Sequence, residues 1–113
     1  MLSSKYRFHS RGGVKYTYRH GKNLRTSKIS IVYNDNVKNK QRFAVVISKK
    51  VLKSAVGRNR VRRRVYEAIR YLLPKFDKPY DCIFVIYSDE FLTMPFSQIY
   101  DTVSSLLDEI MIK

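Results

Sequence analysis

The sequence predicts an α/β (α+β) sandwich, in which a small mixed sheet of about four strands packs against three helices in the order αβββαβα. Its 113 residues are enough for one hydrophobic core, so we expect a single domain over residues 1–113. Apolar, β-branched runs alternate with long amphipathic helical patterns, and this alternation is typical of a βαβ unit. Hydrophobic residues make up 44% of the chain, which is a globular composition.

The first half of the chain predicts one helix and two strands. Residues 10–18 predict a short first helix, although two glycines weaken it. Residues 29–33 read Ile-Ser-Ile-Val-Tyr and predict a strand, and the polar residues 34–41 predict a hairpin-like connection. Residues 43–47 are apolar throughout, which favours a central strand with both faces covered.

The second half predicts two helices that flank a strand. The first helix spans roughly residues 55–73, is ended by Pro74 and carries an apolar stripe of about 100°. Residues 81–88 predict a strand that is again apolar on both faces. Thr93 offers an N-cap, and Pro95 an early position, for the terminal helix. The two apolar stripes consist of Val61, Val65, Ala68, Ile69 and Leu72, and of Phe96, Ile99, Val103, Leu106, Leu107 and Ile110.

The positive charge lies in two blocks. Lys and Arg number 23 against 9 Asp and Glu, which gives a formal net charge of +14. Residues 1–28 hold eight basic side chains and no acid, residues 49–70 hold nine against one, and residues 71–113 hold three against seven. Charge that serves solubility alone would be spread evenly, whereas concentrated charge indicates a surface for a polyanion such as RNA.

We expect a cytoplasmic protein with no membrane segment and no metal site of its own. The N-terminal residues contain no apolar run typical of a signal peptide, and the longest apolar run, residues 82–87, is too short to cross a bilayer. The lone cysteine, Cys82, cannot form an intrachain disulfide or a zinc site and is expected to lie in the core.

The helix predicted over residues 55–73 has a cationic face. On a helical wheel Arg60, Arg63 and Arg64 fall opposite the apolar stripe, flanked by Asn59 and Arg70. A guanidinium group is planar, permanently charged and able to donate two bonds to one phosphate. This face is therefore predicted to bind an RNA backbone.

Two further arginines, Arg58 and Arg62, fall at the edge of the stripe. There they could reach around the sheet or fix the loop before the helix. The alternative for the whole face is a solvated surface paired with acids, but Glu67 is the only acid nearby in the sequence.

This segment also resembles a known family. Residues 48–50 are Ser-Lys-Lys, residues 55–60 are Ala-Val-Gly-Arg-Asn-Arg, and residues 62–64 are Arg-Arg-Arg. The composite resembles the signature of the bacterial ribonuclease P protein subunit family, and weaker similarity extends over nearly the whole chain. Val14 stands where the family usually has an aromatic residue, which leaves open which aromatics line the substrate cleft.

The resemblance implies a fold and an RNA-binding helix. The family fold has an unusual left-handed βαβ crossover, against the general right-handed rule. Its arginine-rich helix docks on the catalytic RNA of the enzyme. Carried over to this sequence, the predicted RNA-binding residues are Lys49, Lys50, Lys53, Arg58, Asn59, Arg60, Arg62, Arg63, Arg64 and Arg70.

The resemblance also implies a cleft, formed by the sheet and the first helix, that receives the single-stranded 5′ leader of precursor tRNA. Unpaired bases stack on aromatic rings whatever their identity. The predicted leader-binding residues are the aromatics Phe8, Tyr18 and Tyr33, with Tyr6 and Tyr16 behind them, and the cations Arg7, Arg19 and Arg42. Each ring could instead serve packing, since the chain has nine Tyr and six Phe.

The implied activity is hydrolysis of a phosphodiester bond that leaves a 5′-phosphate on the mature tRNA. Catalysis would belong to the RNA, with Mg²⁺ held mainly by RNA phosphates. The protein would be an accessory subunit with no catalytic residue, since His9 and His20 have no neighbouring acid to orient them. We expect a monomer when free and one protein per ribonuclease P RNA. The alternative function is a structural RNA-binding protein, such as a ribosomal protein.

Overall fold

The structure, a computed structural model, describes residues 6–7, 11–36 and 40–112, with the backbone alone at 11–13 and 112. These residues form three helices, four strands and two short 3₁₀ turns, Leu73–Lys75 and Asp89–Leu92. The elements are α1 (Arg11–His20), β1 (Lys22–Arg25), β2 (Ile29–Asp35), β3 (Arg42–Ile47), α2 (Ala55–Leu72), β4 (Tyr80–Ile86) and α3 (Phe96–Ile112). The predicted order αβββαβα is confirmed.

The four strands form one mixed sheet in the order β1-β2-β4-β3. β4 pairs antiparallel with β2 and parallel with β3, so it is the strand that separates them. The predicted hairpin-like connection over residues 34–41 is therefore wrong, because β2 and β3 are not neighbours. The predicted central position of residues 43–47 is also wrong. β3 lies at one end of the sheet and its Val46 side chain is 36% exposed.

The connection from β3 through α2 to β4 is a βαβ unit, and its hand follows from Val45. The Val45 side chain points into the core beneath α2, whereas its N–H donates to the Tyr66 hydroxyl and so faces away from β4. For an L-residue, this combination puts β4 to the left of β3 when the sheet is viewed from α2 with both strands pointing up. The crossover is therefore left-handed, as the resemblance implies and against the general rule.

The main core lies between one face of the sheet and the two long helices. Alternate residues of β2, β3 and β4 point to this face, and the predicted stripes of α2 and α3 pack on them. Every predicted stripe residue is buried except Phe96, which is partly buried. Fully burying an Ile, Val or Phe side chain contributes about 1.5–3 kcal/mol. Cys82 is buried here as predicted.

α1 covers the other face of the sheet only in part. Val14 packs on a small apolar cluster of Val32, Ala44 and Ile83, and α1 lies against β2 and β4. The helix ends at Gly21, whose N–H donates to the Thr17 carbonyl oxygen. A Cβ at that position would come within 2.7 Å of the Tyr33 carbonyl oxygen, so the close approach of α1 to β2 requires glycine. The β3 side of this face is left open.

The predicted start of the terminal helix differs from the structure, in which α3 begins at Phe96. Thr93 does not cap α3; its N–H bonds to the Glu90 carbonyl oxygen and closes the preceding 3₁₀ turn. The Pro95 carbonyl oxygen instead accepts bonds from Gln98 and Ile99 at the start of α3. Among the residues described, no helix is long and apolar enough to span a membrane.

Candidate RNA interface

The loop before α2 is held in place by side chains of the segment itself. Ser54 caps α2, because its hydroxyl oxygen accepts a bond from the Gly57 N–H at 3.0 Å. Arg58 donates to the carbonyl oxygens of Leu52 (3.0 Å) and Lys53 (2.7 Å). The predicted ability of Arg58 to fix this loop is confirmed. The loop presents three exposed ammonium groups, from Lys49, Lys50 and Lys53.

The first turns of α2 carry its exposed cations. Arg60 and Arg63 are exposed and pair with no acid among the residues described. Arg62 donates to the Asn59 side-chain oxygen at 2.6 Å, which orients both groups one turn apart. Together with the loop lysines these side chains form one cationic surface, which we call the α2 surface: Lys49, Lys50, Lys53, Asn59, Arg60, Arg62 and Arg63.

Arg64 lies elsewhere than the helical wheel predicts. Its guanidinium crosses to the segment before α3 and donates to the carbonyl oxygens of Phe91, at 2.7 Å, and Met94. Burial, and to a lesser extent the charge of Arg60, lower the pKa of Arg64. The side chain is half-buried between α2 and the segment before α3, so Arg64 has a structural role.

Arg70 is engaged as well. Its Nε donates to Glu67 at 3.0 Å, and its guanidinium carbon lies 4.4 Å from the centre of the Tyr71 ring. The hydrogen bond from Arg70 lowers the pKa of Glu67, which keeps that carboxylate ionised. Arg70 is exposed but already neutralised, and it lies two turns along the helix from Arg63.

The second site is the open side of the sheet beside α1. Tyr87 follows β4, its hydroxyl lies 2.9 Å from the Ser30 hydroxyl, and the Arg25 guanidinium lies 4.2 Å from the centre of its ring. Tyr18 of α1 is 45% exposed, and burial and the nearby Tyr87 raise its pKa. Val46 is exposed on the same face of the sheet. We call this region the α1 cleft: Tyr18, Arg25, Ser30, Val46 and Tyr87.

The predicted leader-binding residues are distributed unevenly. Tyr18 lies in the α1 cleft, Arg19 is exposed on α1, and Phe8 lies outside the described residues. Tyr33 is only 7% exposed and stacks against Tyr80 in the main core, with ring centres 5.5 Å apart. The structure thus places Tyr33 on the face of the sheet opposite α1, so the prediction that it lines the cleft is wrong.

Two predicted cations serve other contacts. Arg42 forms a two-bond ion pair with Asp81, with both nitrogen–oxygen distances at 2.8 Å. Arg7 pairs with Phe43 at the outer edge of β3. Burial raises the pKa of the Tyr66 hydroxyl, and the nearby charges of Arg7 and Arg62 offset part of that rise. The structure therefore brings Arg7 beside α2 rather than into the α1 cleft.

Sequence reasoning missed Arg25, Tyr87, Ser30 and Val46. Arg25 belongs to β1, which is too polar and short to be recognised as a strand. The signal for Tyr87 was the alternation of the preceding strand, in which Ile83, Val85 and Tyr87 share a face. No group of three or more His, Cys, Asp or Glu residues suited to a metal occurs in the part of the chain described.

The chain matches a known protein family and shares its fold. A ribonuclease P family model matches residues 2–111. The solved structure of the RNase P protein from Thermotoga maritima is 23% identical, with a TM-score of 0.81 over 91% of this chain and 96% of that one. The Staphylococcus aureus RNase P protein is 20% identical, with a TM-score of 0.79 over 93% and 94%. At these identities the structures establish the fold.

Curated sequences give the same result. The ribonuclease P protein component of Chloroflexus aurantiacus is 46% identical over 66 residues, which cover 58% of this chain and 48% of the relative. In this match the chain spans about half the length of the relative. The corresponding protein of Synechococcus elongatus is 31% identical over 106 residues, which cover 90% of this chain and 87% of the relative.

Proposed function

This chain belongs to the ribonuclease P protein family, and from that premise we propose that it is the protein subunit of ribonuclease P. In this role it binds the catalytic RNA through the α2 surface and the 5′ leader of precursor tRNA through the α1 cleft. The observation that carries the proposal is that Arg60 and Arg63 are exposed and have no acidic partner among the described residues, on a helix whose preceding loop is fixed by hydrogen bonds.

The α2 surface suits an RNA backbone for a physical reason. Six cations lie on one continuous loop and helix, and each phosphate they contact releases condensed counterions, which favours binding. The Ser54 cap and the Arg58 bonds order the loop in the absence of RNA, so less conformational entropy is lost on binding.

The α1 cleft suits unpaired nucleotides. The rings of Tyr18 and Tyr87 can each stack on a base, and Arg25 supplies a positive charge beside the Tyr87 ring. The hydrogen bond between Tyr87 and Ser30 fixes the orientation of that ring before a base arrives. Such a site holds a leader with little dependence on its sequence.

The protein's part in the reaction is electrostatic and positional. We assign catalysis and Mg²⁺ binding to the RNA, because the two surfaces offer ammonium and guanidinium groups, which are not metal ligands. Bound Mg²⁺ would supply an activated water for phosphodiester hydrolysis. The protein reduces repulsion between RNA segments and holds the leader. A bacterial tRNA-processing subunit of this kind acts in the cytoplasm, where it is a monomer until it binds one RNA.

A reconstitution assay tests the proposal. Precursor tRNA is incubated at low Mg²⁺ with ribonuclease P RNA alone, with the protein alone, and with both. We expect cleavage at the mature 5′ end with both components, weak cleavage with the RNA alone and none with the protein alone. Cleavage by protein that has been freed of RNA and repurified would overturn the assignment of catalysis to the RNA. If adding the protein leaves cleavage by ribonuclease P RNA unchanged, the proposed function itself is overturned.

A further inference from the structure

An open groove lies between α2 and the start of α3, on the opposite side of the sheet from the α1 cleft. It is lined by Arg60, Arg63, Arg64, Glu67 and Phe96. The four α2 residues follow the spacing i, i+3, i+4, i+7, so they form one side of the helix. The bonds from Arg64 to the carbonyl oxygens of Phe91 and Met94 hold the start of α3 against α2 and so fix the width of the groove.

Aromatic rings form one end of the groove. Phe96, which is partly buried, lines the groove itself, and Tyr71, one turn beyond Glu67 and 52% exposed, lies next to Phe96. The two rings meet edge to face, with centres 6.2 Å apart and planes at 69°. An exposed aromatic ring at this position contributes little to the core, yet it is oriented by Phe96 on one side and by Arg70 on another.

The groove has an excess of positive charge. Among the described residues that line it, the one acid is Glu67, which accepts a hydrogen bond from Arg70 at 3.0 Å. Arg60 and Arg63 have no acidic partner among the described residues, and Arg64 is bonded to neutral carbonyl groups. The occupant therefore has to be an anion that also has an apolar, planar part.

We propose that this groove binds an unpaired nucleotide of the partner RNA, with its base against Phe96 and Tyr71 and its phosphates on Arg60 and Arg63. The inference rests on the proposed function and specifies the kind of RNA that α2 contacts. Paired bases of an A-form helix are stacked on their neighbours and cannot reach an aromatic side chain, so the rings select a loop, bulge or single strand over a duplex. A second copy of this chain is disfavoured by its net charge of +14.

Fluorescence offers a direct test, because the chain contains no tryptophan. Tyr71→Trp places one reporter at the groove, where Tyr71 is 52% exposed. Ser105→Trp places a control on the exposed side of α3, beside the acidic Asp101 and Asp108. We expect ribonuclease P RNA and a short single-stranded oligonucleotide to quench Tyr71→Trp, because a stacked base quenches indole. An RNA duplex should bind without this quenching.

Affinity measurements complete the test. Tyr71→Ala should weaken binding of the single-stranded probe by about tenfold, within the range for one lost base stack. Phe96→Leu keeps an apolar side chain against the core and should have a similar effect without lowering the melting temperature. Binding of the duplex should change less than twofold in both variants.

Three outcomes would overturn the inference: full affinity for ribonuclease P RNA without quenching of Tyr71→Trp, equal quenching by duplex and single strand, or a signal that grows with protein concentration in the absence of RNA. The last would identify a second copy of the chain as the occupant. Failure of the wild-type protein to bind ribonuclease P RNA would overturn the proposed function, and this inference with it.

Discussion

The guanidinium of Arg64 donates to the Phe91 carbonyl oxygen across the gap between α2 and the turn before α3. Its neighbour Arg63 makes no such contact among the described residues and is exposed. Adjacent arginines in one basic run therefore have different tasks. One joins two parts of the fold, and the other is available to a phosphate.

We expect Arg64→Ala to lower the free energy of unfolding by about 1.5–3 kcal/mol, because two part-buried hydrogen bonds from a charged donor to carbonyl oxygens are lost. Arg63→Ala is the matched control and should change it by no more than about 0.5 kcal/mol. Urea denaturation monitored by circular dichroism measures both values. Equal stability of the two variants would show that the Arg64 contacts are not structural.

Arg60→Ala and Arg63→Ala should each weaken binding to ribonuclease P RNA and reduce its salt dependence. Each lost phosphate contact lowers the slope of log affinity against log salt by roughly one unit or slightly less. Filter binding over a series of KCl concentrations gives the slope, and the melting temperature should stay unchanged. An unaltered slope in both variants would show that these groups do not contact phosphates.

Tyr18→Ala and Tyr87→Ala should each lower affinity for precursor tRNA by about 1–3 kcal/mol, since each removes a ring on which a leader base can stack. Affinity for mature tRNA, which lacks the leader, should be unaffected. Tyr16→Ala tests the other predicted ring on α1, which lies 4.4 Å from the His20 ring between centres and is more exposed than Tyr18. Equal losses for precursor and mature tRNA would argue that the rings serve packing.

Tyr33→Ala should instead act on stability. The ring is buried in the main core, and removing a large buried aromatic side chain typically costs about 3–5 kcal/mol. Tyr33→Phe keeps the ring and should retain most of the stability. Thermal melts distinguish the two variants. A folded, stable Tyr33→Ala protein that fails only in binding precursor tRNA would return Tyr33 to the leader-binding residues.

Local sequence patterns predicted the long helices, but they could not predict which strands pair, because strand pairing joins distant segments of the chain. The apolar stripes of α2 and α3 have the helical period, so nearly all of their buried residues could be read from the sequence. The position of β4 between β2 and β3 depends on contacts between residues far apart in the chain. In β2 the alternation did carry a signal: Ile29, Ile31 and Tyr33 share the core face, whereas the other face carries Ser30, Val32 and Asn34. This pattern could have indicated that Tyr33 points into the main core.

The candidate site was likewise predicted only in part. The cationic character of α2 was evident from composition alone, and the position of Arg58 at the edge of the stripe predicted its role in the loop. Arg64 could not be separated from Arg63, because its acceptors are main-chain oxygens of Phe91 and Met94, which have no signature in the sequence. Arg25 and Tyr87 meet only because β1 and β4 lie on either side of β2.

The central place of β4 also bears on how the protein is made. Translation delivers β1, β2 and β3 first, yet β2 and β3 can join one sheet only after Tyr80–Ile86 has been synthesised, about three quarters of the way along the chain. Until then the ribosome-bound chain exposes apolar strand segments beside its basic blocks, close to ribosomal RNA. We expect folding to follow release or near-complete emergence from the exit tunnel, and to be slowed by these late, long-range pairings.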